Sequence, residues 1–462
     1  MTLIKSISGI RGTIGGQSGD NLTPIDAVKF AAAYGTWLKG YSKKEKLKIV
    51  IGRDARISGQ MIQNLVVSTL TGLGIDVIDL DLSTTPTVEI AVPLEKADGG
   101  IILTASHNPK QWNALKLLNE KGEFLDAAQG AVILELAEKE EFNFSEVDDL
   151  GSITRNDAYI DIHIDEVLDL PLVDADTIKK AKFKVVVDGV NSTGGIAIPK
   201  LLDALGVEVV KLYCDPTGHF PHNPEPLKEH LGDICDLVVK EKADFGIVVD
   251  PDVDRLAFIS NDGEMFGEEY TLVACADYVL GKTKGNTVSN LSSSRALRDI
   301  TQKHGGTYEA AAVGEVNVVT KMKANNAIIG GEGNGGIIYP ESHYGRDSLV
   351  GTALFLMHMA EKGGTVAELR ASYPSYFMSK KKIQLTPGLD VDGILVAMAK
   401  KYEGEEISTI DGVKIDFAEN WVHLRKSNTE PIIRIYTEAQ SQEKADGLAD
   451  KIIAEIKDIA GL

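Results

Sequence analysis

The most informative stretch of the sequence reads Gly99-Gly100-Ile101-Ile102-Leu103-Thr104-Ala105-Ser106-His107-Asn108-Pro109. Its first five residues form an apolar run of strand length, and Ser106, Asn108 and Pro109 are turn formers, so we predict that a buried strand ends here. A hydroxyl at the end of an α/β strand lies where such folds bind ligands, which makes Ser106 a candidate nucleophile. Taken alone, the stretch also fits a turn whose serine caps the next helix.

A strand–loop–helix–strand unit recurs on both sides of this stretch. Its three copies cover residues 48–78, 184–210 and, more faintly, 286–308. Each copy predicts parallel strands joined by a right-handed crossover. The repetition therefore predicts three related α/β domains with mixed, mainly parallel sheets.

The chain changes character from about residue 380. Short strands, among them Trp421-Val422-His423-Leu424-Arg425, precede a closing helix at about 442–459, and the repeated unit is absent. This pattern predicts a smaller C-terminal α+β domain. The predicted domains are residues 1–150, 151–256, 257–375 and 376–462.

Composition narrows the class of protein. The chain has 462 residues, 43% hydrophobic and 25% charged, which is typical of a globular protein too long for one core. Its 48 basic and 68 acidic residues give a net charge of -20, which argues against nucleic acid or an anionic membrane as partner. Cys214, Cys235 and Cys275 form no CxxC pair, and we find no apolar signal core or spanning stretch. We therefore expect a cytoplasmic protein without disulfide bonds.

A second polar loop, Asp250-Pro251-Asp252-Val253-Asp254-Arg255, follows an apolar strand at 245–249. Carboxylates at alternate positions of an extended chain point to one side, so all three can converge on one hard cation. An EF-hand is a poor fit, because Arg255 and Asn261 stand where that loop needs glycine and glutamate. The loop predicts a Mg²⁺ site, and a solvated acidic turn is the alternative.

A third loop, Gly330-Gly331-Glu332-Gly333-Asn334-Gly335-Gly336, follows another apolar stretch. Its glycines let the backbone approach a ligand, and Glu332 and Asn334 supply acceptors and donors for hydroxyl groups. A hairpin turn without a ligand is the alternative.

A fourth loop, Arg425-Lys426-Ser427-Asn428-Thr429-Glu430-Pro431, is followed closely by Arg434. Two guanidinium groups, two hydroxyls, an amide and turn-forming backbone make a cradle for a phosphate dianion, although solvated surface charge is possible too. The four loops together suit phosphoryl transfer to or from a phosphorylated sugar, where catalysis is largely positioning and charge neutralisation.

The same four motifs resemble those of the α-D-phosphohexomutase family, in the family's order and across essentially the whole chain. The resemblance implies four domains around a central cleft, each donating one loop. It implies a phosphohexose mutase of the isomerase class, in which Ser106 is phosphorylated in the resting enzyme. Phosphoserine would then convert a hexose monophosphate to a 1,6-bisphosphate, which reorients and returns its other phosphate to Ser106.

The resemblance also assigns roles to individual residues. Mg²⁺ would be held by Asp250, Asp252, Asp254 and a phosphoserine oxygen of Ser106, and a hexose 1,6-bisphosphate would act as activator. Lys116, in Trp112-Asn-Ala-Leu-Lys116, would be the general acid or base, with a pKa lowered by arginines and metal. The other predicted catalytic residues are Arg11, Arg255 and His107. The predicted substrate-binding residues are Glu332 and Asn334 for sugar hydroxyls, and Arg425, Ser427, Asn428, Thr429 and Arg434 for the non-transferring phosphate.

One motif departs from the family pattern. Many relatives carry Gly-Glu-x-Ser-Gly-His, whose histidine is often given a proton-transfer role, whereas this chain has Asn334-Gly335-Gly336 at that end. His343 and Tyr344 follow shortly and are candidate substitutes.

The predicted partner is a small hexose phosphate, with no nucleic acid or membrane and no particular oligomeric state favoured. We predict glucosamine 6-phosphate as the substrate, with glucose and mannose phosphates as alternatives. Two other classes of function stay open on the sequence alone. One is a metal-dependent phosphatase, which the phosphate cradle at Arg425 argues against, and the other is a non-catalytic sugar-phosphate sensor.

Overall fold

The computed structural model describes residues 2–6, 9–384, 390–426 and 432–461. Within these ranges twenty β-strands form four sheets, and each sheet is built from strands that are consecutive in the chain. The described part of the chain therefore folds as four units in sequence order. No helix within it is long and apolar enough to span a membrane.

The first unit is a seven-stranded mixed sheet. Its strands are β1 (Ile4–Ser6), β2 (Gly9–Thr13), β3 (Lys48–Arg53), β4 (Asp76–Leu82), β5 (Gly99–Leu103), β6 (Trp112–Leu118) and β7 (Ile153–Arg155). They lie in the order β1-β2-β6-β5-β3-β4-β7, with β5, β3, β4 and β7 parallel and β6 antiparallel to β5. The helices are α1 (Pro24–Tyr41), α2 (Gly59–Gly72), α3 (Thr85–Leu94) and α4 (Ala127–Lys139).

Helices cover both faces of this sheet. Alternate residues of β5 point to opposite faces, so Ile101 packs with α1 and α2 while Ile102 packs with α3. Every residue of β5 is buried, as expected for a central strand of an α/β sheet. This burial fixes the position at which the chain leaves the sheet after Leu103.

The second unit is a four-stranded sheet with the order β11-β10-β8-β9. The β8, β9 and β10 strands are parallel, and β11 pairs antiparallel with β10. The strands are β8 (Lys184–Asp188), β9 (Glu208–Leu212), β10 (Phe245–Val249) and β11 (Leu256–Ser260). The helices are α5 (Tyr159–Leu168), α6 (Ala175–Ala181), α7 (Gly194–Ala204) and α8 (Gly232–Glu241).

The third unit repeats this plan with the order β13-β12-β14-β15, in which only β14 and β15 pair antiparallel among the described strands. The strands are β12 (Asn286–Asn290), β13 (Tyr308–Ala311), β14 (Ala327–Glu332) and β15 (Gly336–Ile338). The helices are α9 (Glu268–Lys282), α10 (Ala296–Lys303), α11 (Glu315–Asn325), α12 (Ser348–Lys362) and α13 (Val366–Ala371). The second and third units share one continuous apolar core, in which Phe245 and Phe258 pack against Phe355 of α12.

The fourth unit is an antiparallel sheet with its own apolar core. Its strands are β16 (Phe377–Gln384), β17 (Glu406–Ser408), β18 (Val413–Asp416), β19 (Trp421–Lys426) and β20 (Ile432–Ala439), in the order β16-β20-β19-β18-β17. Its helices are α14 (Val391–Lys401) and α15 (Gln442–Ala460). The buried positions Ala445, Ala449, Ile452 and Ile456 recur every three or four residues, which places one face of α15 on the sheet.

The predicted fold class is confirmed: three α/β units with mixed, mainly parallel sheets and a smaller α+β unit surround a cleft. Each copy of the predicted repeat forms a parallel strand pair with an intervening helix. Two edge strands extend past the predicted domain boundaries. Strand β7 follows residue 150 yet pairs in the first sheet, and β11 starts at residue 256 yet pairs in the second.

Candidate active site

A cleft of about 960 Å³ lies between the four units. Its walls include Ser106 from the first unit, Arg255 from the second, Glu332 from the third and Arg425 from the fourth. Ser106 and Arg255 follow the carboxyl ends of β5 and β10, and Glu332 is the last residue of β14, so all three lie at the sheet edges where α/β folds bind ligands. At least one described residue from each of the four predicted loops therefore lines one cavity.

Ser106 faces residues 250–255 of the second unit, the loop predicted to bind Mg²⁺ and called the metal loop below. Its Oγ donates a hydrogen bond to Asp250 Oδ2 at 2.6 Å, and the residue is 7% exposed. The backbone of Ser106 is left-handed, with φ of 48°, and its N–H donates to Thr104 Oγ1 at 2.9 Å. This sharp turn at the end of β5 aims the hydroxyl across the cleft instead of along the strand.

The three aspartates of the metal loop form a compact oxygen cluster. One carboxylate oxygen from each of Asp250, Asp252 and Asp254 lies within 4.8 Å of the other two, and all three residues are buried. Asp250 Oδ1 accepts the N–H groups of Asp254 and Arg255 at 3.1 Å, which curls the loop on itself. Asp252 Oδ1 and Asp254 Oδ1 have no hydrogen-bond partner. Buried carboxylate oxygens without partners are the donor set that a hard divalent cation uses, so the residues fit Mg²⁺.

Burial and the neighbouring charges shift the pKa values of Asp250 and Asp254 in opposite directions. Burial, followed by the charges of Asp252 and Asp254, raises the pKa of Asp250 well above its usual value. Burial would also raise the pKa of Asp254, but Arg346 and Lys116 outweigh it and hold this pKa below its usual range. Cationic side chains therefore keep Asp254 ionised.

Two arginines lie against the serine loop (residues 104–109), and His107 of that loop lies between one of them and Ser106. Arg11 Nη1 donates to Asn108 Oδ1 at 3.4 Å, and burial and the charge of Arg255 lower its pKa. Arg255 Nη2 lies 3.5 Å from His107 Nε2, and His107 Nδ1 lies 3.4 Å from Ser106 Oγ. Burial and the charge of Arg255 lower the pKa of His107 to about 2, so its imidazole stays neutral beside the serine.

The third loop, residues 330–336 and called the sugar loop below, carries the Glu332 carboxylate, which accepts hydrogen bonds from several sides. Glu332, the last residue of β14, accepts from Asn290 Nδ2 at 2.9 Å and from the Gly314 N–H at 3.1 Å. Its other oxygen accepts from Arg346 Nη1 at 3.1 Å. Asn334 lines the cleft next to it and accepts the Gly336 N–H at 3.2 Å.

Arginines from two neighbouring strands form the opposite wall. Arg425 of β19 and Arg434 of β20 are direct cross-strand partners and both line the cleft. Asp411 Oδ2 lies 2.9 Å from Arg425 Nε and forms an ion pair with it. The other predicted phosphate-binding residues, Ser427, Asn428 and Thr429, lie outside the described residues.

The sequence matches all four domains described for phosphoglucomutase/phosphomannomutase. Residues 3–144, 161–263 and 267–376 match its alpha/beta/alpha domains I, II and III, and residues 378–455 match its C-terminal domain. The chain belongs to the phosphoglucomutase/phosphomannomutase family. It is therefore an enzyme, a phosphohexomutase that transfers a phosphoryl group intramolecularly, as its mutase relatives imply.

Relatives match over nearly the full length of the chain. The Thermococcus kodakarensis phosphoglucomutase/phosphomannomutase is 37% identical and covers 94% of this chain and 95% of its own. A probable phosphoglucosamine mutase of Methanopyrus kandleri is 31% identical and covers 96% of each chain. A Burkholderia thailandensis protein of the phosphoglucomutase/phosphomannomutase family, solved by X-ray crystallography, superposes with a TM-score of 0.84 at 25% identity and covers 98% of both chains.

Lys116 of this phosphohexomutase lies on β6 and contacts the metal loop, so it is not a surface residue. Its Nζ lies 2.7 Å from Asp252 Oδ2 and 3.2 Å from Asp254 Oδ2. Burial would lower the pKa of Lys116, but the two carboxylates outweigh it and the net shift is upward. The lowered pKa expected from the sequence is thus not what the described side chains produce, because aspartates and not arginines are the contacts of this ammonium.

Neither suggested substitute for the family's histidine lines the cleft of this phosphohexomutase. His343 is held between two buried carboxylates, with Nε2 3.1 Å from Asp347 Oδ2 and Nδ1 3.4 Å from Glu89 Oε2. Tyr344 lies under Lys323 in a separate side pocket. His107 is the one histidine among the described residues that line the cleft.

The sequence interpretation missed the support of the serine loop. Arg56, fully buried, uses each of its N–H groups, and they donate to Asp54 Oδ2 and to the main-chain oxygens of Ser106, Asn108, Pro109 and Trp112. Asp54 also accepts from Thr104 Oγ1 at 2.7 Å. The available clue was an Asp-x-Arg sequence directly after β3, at the same sheet edge as Ser106.

Four other cleft residues were also missed. Glu225 holds Arg255 at 3.2 Å, Asn290 holds Glu332, Lys380 enters from β16 and Arg346 spans two loops. Glu225 and Asn290 lie 30 and 42 residues from their motif partners, Arg346 lies 92 residues from Asp254, and Lys380 pairs with Glu268, which is outside the motifs. A local sequence pattern therefore contains no indication of them.

Proposed function

We propose that this phosphohexomutase interconverts a hexose 6-phosphate and a hexose 1-phosphate through phosphoserine at Ser106, with glucosamine 6-phosphate as its preferred substrate. The single observation that carries the proposal is the 2.6 Å contact of Ser106 Oγ with Asp250 Oδ2 inside a cleft that also contains Arg425 and Arg434. A phosphoryl donor, a cation site and an anion site in one cavity are what a transfer followed by a return requires.

The first half-reaction would move the phosphoryl group from Ser106 to the free hydroxyl of the sugar. The serine O–P bond breaks, the sugar O–P bond forms, and the proton of the sugar hydroxyl is taken up in the cleft while Ser106 Oγ regains one. Lys116, beside Asp252 and Asp254, is the proposed acid or base. The second half-reaction is the reverse, with the bisphosphate turned so that its other phosphate faces Ser106.

Asp250, Asp252, Asp254 and a phosphoserine oxygen would hold Mg²⁺. This ion would supply positive charge to the transferring phosphoryl group. Arg11 and Arg255 flank the serine loop and would add to that charge, while neutral His107 would offer hydrogen bonds without repelling either arginine. A hexose 1,6-bisphosphate would act as activator by restoring phosphate to Ser106.

The opposite wall would bind the phosphate that is not transferred. Arg425 and Arg434 are adjacent on one face of the sheet, so both guanidinium groups can grip one dianion. Ser427, Asn428 and Thr429 are proposed to complete this grip. Glu332 and Asn334 would accept and donate hydrogen bonds to the sugar hydroxyls between the two phosphate positions.

Seven cationic side chains line the cleft, and the carboxylates that stand among them offer partners for an amino sugar. Five carboxylates line the cavity: Asp126, Glu225, Glu269, Glu315 and Glu332. The ammonium of glucosamine 6-phosphate can pair with such a group, whereas a neutral hydroxyl gains only a hydrogen bond. The Methanopyrus relative carries the name of a probable phosphoglucosamine mutase, and the Thermococcus name keeps glucose and mannose phosphates as the second candidate.

Two measurements test the proposal. Intact mass after incubation with glucose 1,6-bisphosphate should show one added phosphoryl group on the wild type and none on Ser106→Ala. A panel of glucosamine, N-acetylglucosamine, glucose and mannose phosphates, with Mg²⁺ and bisphosphate, should show the highest kcat/KM with glucosamine phosphate. Stoichiometric release of inorganic phosphate would indicate a phosphatase instead, and binding without turnover would indicate a sensor.

A further inference from the structure

The side chain of Arg346 occupies the space beside Gly336. A Cβ placed on Gly336 would lie 2.3 Å from Arg346 Cδ and 3.0 Å from its Cγ, both closer than contact distance. The φ angle of Gly336 is not positive, so residues with a side chain can adopt its backbone conformation. The neighbouring arginine, and not the backbone, therefore requires glycine here.

The guanidinium of Arg346 connects three carboxylates from three parts of the chain. Its Nη2 lies 2.7 Å from Asp254 Oδ2, its Nη1 3.1 Å from Glu332 Oε2 and its Nε 2.9 Å from Glu315 Oε2. The residue is 9% exposed and lines the cleft. A planar fork with donors on three sides makes these contacts together, which the point charge of a lysine does not.

This geometry determines which oxygen of each carboxylate Arg346 contacts and which oxygen it leaves to other partners. Arg346 and Lys116 both contact Asp254 Oδ2, and Asp254 Oδ1 has no hydrogen-bond partner. On Glu332, Arg346 holds one oxygen while Asn290 and the Gly314 N–H hold the other. One cation thus sets the orientation of a metal-loop carboxylate and of a sugar-loop carboxylate at the same time.

We propose that Arg346 is a positioning residue that couples the metal loop to the sugar loop, with Gly336 as the vacancy that admits it. The proposal rests on the proposed roles of Asp254 in cation binding and of Glu332 in sugar binding. Arg346 acts through these two carboxylates, so its loss should weaken both binding events together. A residue needed only for folding would lower stability and leave the affinities of the folded fraction unchanged.

The test compares Arg346→Lys and Arg346→Met with Arg370→Met. Arg370 is a partly buried arginine of α13 that stacks on Tyr270 and donates to the Phe266 carbonyl, outside the cleft lining. Calorimetry with Mg²⁺ alone and with glucose 6-phosphate alone gives the two affinities without requiring turnover. We expect Arg346→Met to weaken each by about tenfold or more, as the loss of a ligand's supporting partner typically does. Arg346→Lys should recover only part, and Arg370→Met should match the wild type.

Steady-state kinetics supply a second readout. The Arg346 variants should raise KM for the hexose phosphate and the half-saturating Mg²⁺ concentration in parallel. A change in one with the other unchanged would overturn the coupling, as would affinities equal to those of the wild type. If the wild type binds both ligands but shows no mutase turnover, the proposed function fails, and the calorimetric comparison still decides the role of Arg346.

A double-mutant cycle tests the steric half of the proposal. Gly336→Ala should lower the melting temperature in the wild-type background, because its Cβ collides with Arg346. The same change should cost little in an Arg346→Ala background, where the space is free. Equal losses in the two backgrounds would contradict the pairing of Gly336 with Arg346.

Discussion

The cleft has two unlike walls. The catalytic wall consists of the serine loop and the metal loop. Buried polar contacts join the first and second units here: Ser106 to Asp250, and Thr85 Oγ1 at the start of α3 to Asp252 Oδ2 at 2.6 Å. Behind it Tyr159 of the second unit packs into an apolar cluster of the first unit, and the second and third units share one apolar core. The gripping wall consists of Arg425 and Arg434 on a sheet with a core of its own.

Polar contacts at the cleft edge tie the gripping wall to the third unit. Arg295 donates to Asp416 and to main-chain oxygens of the fourth unit, and Ser292 Oγ lies 2.9 Å from His423 Nδ1. A unit with a separate core and a polar interface moves as a body more easily than one that shares a core. The difference suits the proposed chemistry, because transfer needs fixed distances, whereas the proposed phosphate grip would hold a substrate in two orientations.

The largest expected effect comes from removing the proposed Mg²⁺ from the catalytic wall. Chelation with EDTA should reduce turnover by at least about a thousandfold, because several kcal/mol of charge stabilisation are lost. It should leave the melting temperature nearly unchanged, since Lys116 and Arg346 already pair with the aspartates. Activity with and without added Mg²⁺ and a thermal scan of each sample check this. Unfolding on chelation would mean that the wall depends on the ion for its structure.

Arg56 provides the next test, because it holds the serine loop through main-chain oxygens. Arg56→Met leaves Asp54 buried and unpaired, so we expect a loss of about 3–5 kcal/mol in unfolding free energy. In the folded fraction kcat should fall more than KM rises, since Ser106 loses its fixed position. Arg53→Met, which breaks a contact with the more exposed Asp81, is the matched control and should cost less. Similar losses for the two variants would remove the distinction drawn for Arg56.

The sequence predicted the residues that lie in local motifs and not those that support them. Ser106 and the three aspartates follow apolar strands directly, so strand ends and alternation were enough to select them. Arg56 and Arg346 contact those motifs from positions 50 and 92 residues away in sequence. The predicted direction of the Lys116 pKa shift was wrong for the same reason, because the shift depends on which charged side chains the fold brings near the ammonium. Long-range partners are set by packing and have no local pattern.

A mutation in the gripping wall should change KM for the substrate and leave the free energy of unfolding nearly unchanged. Arg434→Met removes one of two guanidinium groups, and a charged hydrogen bond contributes about 1.5–3 kcal/mol, so KM should rise by about tenfold to a hundredfold. Arg434 projects from the exposed side of β20, so the unfolding free energy should change little. Kinetics and urea unfolding of the same variant measure both quantities. A large loss of stability with unchanged KM would mean that the two walls do not differ as described.

The smallest expected effect is a pH dependence where the gripping wall meets the third unit. Burial is the largest influence on Glu269, and it raises the pKa to about 8 although Lys380 of β16 opposes it. A carboxyl with a raised pKa binds its proton more tightly in the folded state, so its contribution to stability is present below pH 4.5 and is lost as pH rises towards 8. Glu269→Gln should remove this loss, about 1–2 kcal/mol after allowance for solvent on the cleft side. Hydrogen exchange at pH 5 and pH 8, corrected for the intrinsic effect of pH on exchange, should locate the change. Between these pH values β16 should become easier to open in the wild type than in Glu269→Gln. Strand β5 of the catalytic wall is the control and should exchange alike in both proteins. Equal behaviour of β16 in the two proteins would show that Glu269 does not control this junction.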